Sequence, residues 1–202
     1  MKKKQVIVIH GGDTFRSHDD YVAYLKAYKL DLTRLKQKTW KDHLQSYLGS
    51  TYDVILPKMP CKANAKYSER KIWFDKFIPI MKDGVVLVGH SLGGIFLAKY
   101  LSENEFPKKI RGIFIVAAPF DEIDLKDSLA DFTLPSDLSR LAVYEDRISL
   151  YHSADDPVVP IVDVKKYAKA LTNARIRILK GRGHLFQEKF PEIVKDIKAL
   201  YK

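Results

Sequence analysis

A single cysteine, Cys61, is all the thiol that this chain of 202 residues contains. It excludes an intrachain disulfide and suits a reducing cytoplasm, where the protein is expected to reside. Long apolar runs are also missing: no stretch approaches the roughly 20 residues that span a bilayer. The basic start Met1-Lys2-Lys3-Lys4-Gln5 mimics the head of a signal peptide, but the apolar stretch behind it lasts only from Val6 to Ile9. It therefore reads as a first strand. No His or Cys pair has metal-ligand spacing, and Asp155 with Asp156 alone does not make a metal site, so no metal is expected. The loop His10-Gly11-Gly12-Asp13-Thr14 lacks both G-x-G-x-x-G spacing and the Lys-Ser/Thr of a phosphate loop, and no helix opens directly after it. No cofactor is expected. Internal repeats, low-complexity tracts and linkers are absent, so residues 1–202 read as one domain.

Charge of one sign is not lacking. Lys and Arg number 35 against 25 Asp and Glu, a net charge of +10. Such an excess raises a nucleic-acid or anionic-surface reading. The lysines are scattered, however, through helix-like stretches such as Tyr24 to Lys41 and Val164 to Lys169, and no basic helix or RNA-binding aromatic motif stands out. A solvated basic surface is the reading preferred, with weak attraction of anionic substrates left open and no specific nucleic-acid partner. Hydrophobic residues at 46% and charged residues at 30% are ordinary for a soluble domain.

Strand-like runs at Val6–Ile9, Tyr52–Leu56, Val85–Val88, Ile110–Val116, Ile148–Tyr151 and Ile176–Leu179 alternate with helical patterns. The helical stretches are 19–47 (broken), 67–82, 92–104, 160–171 and 186–201. Alternation of buried strands with helices argues an α/β fold: a mostly parallel sheet of about six strands, helices on both faces, three layers in all. The irregular stretch 120–146 leaves two readings open, a small flap over a crevice or a plain surface helix.

The most informative segment is Val85-Val86-Leu87-Val88-Gly89-His90-Ser91-Leu92-Gly93-Gly94. An apolar strand turns abruptly into a helical pattern, Leu92, Ile95, Phe96, Leu97, Ala98 and Leu101. A residue at such a bend is held at positive φ, and Gly89 and Gly93 let the flanking backbones approach. The residue there is Ser91, its hydroxyl exposed beside the unpaired N–H groups of a helix N-terminus. Two further strand ends carry matching chemistry. Ile148–Tyr151 leads to His152-Ser153-Ala154-Asp155-Asp156-Pro157, and Ile176–Leu179 leads to Lys180-Gly181-Arg182-Gly183-His184. In a parallel sheet the loops beyond the carboxyl ends converge, so a serine, an acid and His184 can meet. A histidine takes the serine proton, and a carboxylate fixes the histidine tautomer.

With this order of Ser, Asp and His, the chain resembles the α/β-hydrolase superfamily. More narrowly it resembles compact serine hydrolases related to retinoblastoma-binding protein 9 and the YdeN-like proteins. The likeness rests on short length, the stretch Leu56-Pro57-Lys58-Met59-Pro60, and Asp155-Asp156-Pro157 before a closing Gly183-His184. The resemblance implies a triad of Ser91, Asp156 and His184, the acid being the residue directly before the proline and Asp155 a loop-capping or solvated neighbour. It implies oxyanion donors in the backbone N–H of Leu92 and of Gly12, with His10 ordering the latter's loop. It further implies a carboxylesterase-like cleavage of a small acyl substrate, thioesters and amides remaining open. The competing reading is a binding protein on the same scaffold, without catalysis. A dehalogenase or epoxide hydrolase needs an aspartate where Ser91 stands. Of the remaining histidines, His90 is the variable residue of the bend, His152 reads as packing, and His18 and His43 as solvated.

Overall fold

The computed structural model describes residues 3–125 and 127–202; Met1 and Lys2 of the basic start and Lys126 within 120–146 lie outside the described residues. Six strands, β1 (Lys4–Ile9), β2 (Tyr52–Ile55), β3 (Val85–His90), β4 (Ile110–Val116), β5 (Ile148–Ser153) and β6 (Arg175–Leu179), form one sheet in the order β2-β1-β3-β4-β5-β6. Every pairing is parallel. The helices in chain order are α1 (His18–Ala27), α2 (Leu32–Lys36), α3 (Trp40–Leu48), α4 (Tyr67–Phe77), α5 (Leu92–Glu103), α6 (Ser139–Ala142), α7 (Ile161–Ala170) and α8 (Pro191–Ala199).

Successive strand residues face opposite sides, and in β1, β3, β4 and β5 both sides are buried, which explains why these strands read as continuous apolar runs, whereas edge strand β6 leaves Ile176 and Ile178 exposed. Ile7, Ile9, Leu87, Ile113 and Leu150 point into the larger core with Phe74 of α4, Phe96 of α5 and Tyr167 of α7. Val6, Val8, Val86, Phe114 and Tyr151 point the other way, against Trp40 and Leu44 of α3 and Ile193 and Ile197 of α8. The result is a three-layer α/β sandwich. Order reverses between β1 and β3, so the loops after these two strands diverge and leave a crevice at the carboxyl edge of the sheet.

Element ends differ from the pattern for local reasons. The helical stretch 19–47 is three helices; capping boxes at Ser17/Asp20 and Thr39/Asp42 begin α1 and α3. The stretch from 67 gives way at Phe77 to a 3₁₀ turn, Ile78–Ile80, where Pro79 lacks the N–H that an α-helix needs. The last helix starts at Pro191 rather than 186, since proline suits the first helical turn and Leu185 takes a φ of +54°. Within 120–146, Leu129, Phe132 and Leu141 are buried in the larger core. Among the described residues no helix is long and apolar enough to cross a membrane.

Candidate active site

Ser91 sits between β3 and α5 at φ 56° and ψ −126°. This strained geometry persists because its surroundings over-determine it. The Ser91 N–H donates to the Val116 carbonyl at 2.8 Å, while the Ser91 carbonyl accepts from the Gly94 N–H at 2.8 Å. A Cβ on Gly89 would lie 2.3 Å from the Gly93 carbonyl oxygen, and one on Gly93 would lie 2.2 Å from that of Ile9. Only glycine fits at either place. Leu92 is the first helical residue, where no preceding turn offers its N–H an acceptor.

The crevice is a cavity of about 750 Å³ bordered by Ser91, Leu92, His184, Gly11 and Gly12. His184 follows β6, and its Nδ1 lies 2.8 and 3.0 Å from the two carboxylate oxygens of Asp156. That carboxylate is fully buried and also accepts the N–H groups of Val158 and Val159 at 2.8 and 3.0 Å. Nδ1 of His184 therefore carries a proton toward Asp156, and Nε2 is left as the basic nitrogen. Ser91 and His184 border the same cavity without a hydrogen bond between their side chains among the described residues; such contacts are often long in the absence of substrate.

The neighbouring carboxylate does different work. Asp155 accepts from the Ser153 hydroxyl at 2.5 Å, and from the N–H groups of Gly181 at 2.8 Å and Gly183 at 3.1 Å. The Ser153 hydroxyl, then the N–H groups of Gly183 and Arg182, hold its carboxyl down, to about 2. Asp155 thus ties the end of β5 to the loop that carries His184, and Asp156 faces the ring.

The family resemblance pointed to Gly12 in the loop after β1, and the structure adds what fixes that loop. Arg70 of α4 is fully buried, and its guanidinium donates to the carbonyls of His10 at 3.2 Å and Gly11 at 3.0 Å. His10 Nδ1–H also donates to the Gly11 carbonyl, at 2.6 Å, and His10 Nε2 accepts the Met59 N–H at 3.0 Å. In a trans peptide the N–H points opposite to the C=O. Holding the Gly11 carbonyl on Arg70 therefore turns the Gly12 N–H away from the guanidinium. Gly11 is the closer of the two to the serine: a Cβ there would sit 3.1 Å from Ser91 Cβ. Burial lowers the Arg70 pKa to about 10 and lowers that of His10, so His10 is a neutral loop clip. Nothing in the sequence marks Arg70, because it lies in an ordinary helical pattern.

His90 is more engaged than its place in the motif suggests. It is buried, and its Nε2–H donates to the His184 carbonyl at 2.8 Å, leaving Nδ1 to accept from Lys41 Nζ at 3.3 Å. Burial, then the charge of Lys41, push its pKa well down, so the ring is neutral. His152 is a packing residue, buried with Nε2–H on the Val159 carbonyl at 2.9 Å. His43 lies 3.7 Å from Glu188 rather than in open solvent, whereas His18 is exposed. Cys61 is exposed, and Glu69 beside it, accepting from the thiol, raises its pKa, which makes it a poor nucleophile.

The whole chain superposes on known folds. It covers 98% of its length on the YdeN protein of Bacillus subtilis (99% of that chain, TM-score 0.76, 18% identity). A putative YdeN-like hydrolase of Pectobacterium atrosepticum aligns over 98% of this chain and 90% of its own, with TM-score 0.61 and 14% identity. The thioesterase domain of the curacin biosynthetic pathway gives the same coverages, TM-score 0.59 and 14% identity. No curated protein matches by sequence. A family model described as serine hydrolase matches residues 26–194, which include Ser91, Asp156 and His184, and the chain belongs to that family.

Proposed function

We propose that this protein is a carboxylesterase-like enzyme that cleaves a small acyl ester or thioester through an acyl-enzyme on Ser91. One observation carries the reading: a positive-φ serine at a helix N-terminus shares its cavity with a histidine whose far nitrogen is held by a buried carboxylate. Ser91 Oγ attacks the carbonyl carbon while His184 Nε2 takes its proton, and Asp156 stabilises the imidazolium. The negative charge that forms on the carbonyl oxygen is met by the N–H groups of Leu92 and Gly12. His184 then gives the proton to the leaving alcohol or thiol, and water, activated by the same nitrogen, releases the acid. The thioesterase domain among the structural neighbours supports keeping thioesters beside esters. A lone exposed cysteine suits a reducing cytoplasm as its compartment.

Labelling with a fluorophosphonate tests this directly. Wild type is expected to label at Ser91 and Ser91→Ala not to label, with ester turnover falling by at least about 1000-fold. Folded wild-type protein that neither labels nor turns over any of a chain-length series of esters and thioesters would instead be a binding protein on this scaffold.

A further inference from the structure

Lys41, the second residue of α3, has an unusual place. Its side chain borders the cavity of Ser91 and His184 instead of extending into solvent. Nζ lies 3.3 Å from His90 Nδ1, 5.1 Å from the centre of the Trp40 ring and 5.5 Å from that of Phe186. No carboxylate forms an ion pair with it among the described residues. Its sequence neighbour Asp42 is occupied by the N–H and hydroxyl of Thr39, at 2.7 and 3.0 Å. A half-buried ammonium with no carboxylate in ion-pair contact is poorly compensated for the water it has lost, and the arrival of an anion relieves that cost.

The surroundings also say where the anion would lie. His90, Phe186 and His184 form one wall, with ring centres 5.0 Å apart for His90 and His184, 5.2 Å for His90 and Phe186, and 5.0 Å for His184 and Phe186. Lys41 caps this wall through His90. In the mechanism proposed above, His184 protonates the leaving group, which must therefore lie against the same wall.

We propose that Lys41 is a specificity-determining residue whose ammonium receives a carboxylate carried on the leaving group, so that the enzyme favours esters and thioesters of acidic alcohols or thiols. The placement on the leaving-group side rests on the hydrolase reading; the anion site itself does not. Lys41 also has a pH signature. Burial lowers its pKa to about 8, with Asp42 opposing and Lys62 assisting. His90 and His10 also feel its charge, and both are held neutral by burial. The ammonium is present below about pH 8 and lost above it, so the preference for anions fades on the alkaline side, and anion binding near pH 8 takes up protons.

Two arms test the proposal, using 4-acetoxybenzoate against its neutral relative 4-acetoxybenzamide, and their products 4-hydroxybenzoate and 4-hydroxybenzamide. In turnover, the ratio of kcat/KM for the anionic over the neutral ester is expected to fall about tenfold or more in Lys41→Met, through KM, and to be largely kept in Lys41→Arg. A ratio unchanged in Lys41→Met, with both esters losing equally, would make Lys41 a support for His90 only and overturn the proposal. In binding, calorimetry on Ser91→Ala protein is expected to show 4-hydroxybenzoate bound about tenfold more tightly than the amide. Proton uptake at pH 8 accompanies it, and both effects vanish when Lys41→Met is added. Equal affinities, or a preference that survives Lys41→Met, overturn the site whether or not any ester is cleaved. A Lys41-dependent preference in protein that neither labels nor turns over would sustain the anion site and sink only the hydrolase reading.

Discussion

The loops after β3, β5 and β6 and the segment from Ser17 to Lys38 border the same cavity, yet they are built by opposite means. The loops are tied to their neighbours on every side. Ser91 hangs on Val116, and Ala154 N–H reaches the Leu179 carbonyl at 2.8 Å. Asp155 clasps the glycines before His184, and the indole N–H of Trp40 donates to the Leu185 carbonyl at 2.9 Å. The other segment contributes Tyr24 and Gln37 to the cavity rim, but α1 buries no residue at all. Leu30, Leu32 and Leu35 are 75, 68 and 64% exposed. Covalent catalysis requires groups fixed to within a fraction of an ångström, whereas a rim only has to shape access. Segments with few buried contacts also open most easily.

Four variants probe that contrast, in descending order of effect. Asp156→Asn leaves the volume of the side chain but cannot hold a protonated His184; turnover is expected to fall by about 10³–10⁴ at an unchanged thermal midpoint. Near-normal kinetics in that variant would remove Asp156 from the mechanism. Gly93→Ala forces a Cβ against the Ile9 carbonyl oxygen, and the atoms it meets there are backbone that cannot swing aside. A loss of about 3 kcal/mol by urea titration is expected, and a stable variant would show the bend to be less fixed than it looks.

Asp155→Asn loosens the loop beneath His184, and a shift in the ring costs at most about 100-fold in turnover, well short of the loss at 156. It also changes the acid limb of stability. A carboxylate held down from 3.8 to about 2 contributes stability that is complete above pH 4 and is lost as pH falls through about 2. Wild type should therefore lose more stability than Asp155→Asn across that interval; parallel curves would deny the clasp. The triple change Leu30→Ser, Leu32→Ser and Leu35→Ser should move stability by no more than about 0.5 kcal/mol per site. A collapse comparable to Gly93→Ala would mean that the segment is packed far more tightly than its exposure indicates.

Much of this architecture is legible in the chain, because buried parallel strands must be apolar on both faces. The six runs beginning with Val6–Ile9 coincide with the six strands to within two residues at either end. The bend at Ser91 was equally legible, since glycines at 89 and 93 have no other economical use next to a strand and a helix. Helix boundaries were less so: α8 starts five residues later than the apolar pattern, as Pro191 and the turn at Leu185 override periodicity. Adjacent Asp155 and Asp156 look alike in sequence. A one-residue step along an irregular loop sends their carboxylates to different partners, and only the folded chain separates them.

By itself, then, the sequence determined a parallel α/β sheet and a strained serine between β3 and α5, because both follow from local periodicity and from where glycine is obligatory. Tertiary structure decided the rest. It set a fully buried Arg70 under the carbonyls of His10 and Gly11, and brought Lys41 to His90, 49 positions away. Such partners are chosen by the crossing of α3 and α4 over the sheet, and no short stretch of chain encodes a contact made between distant elements.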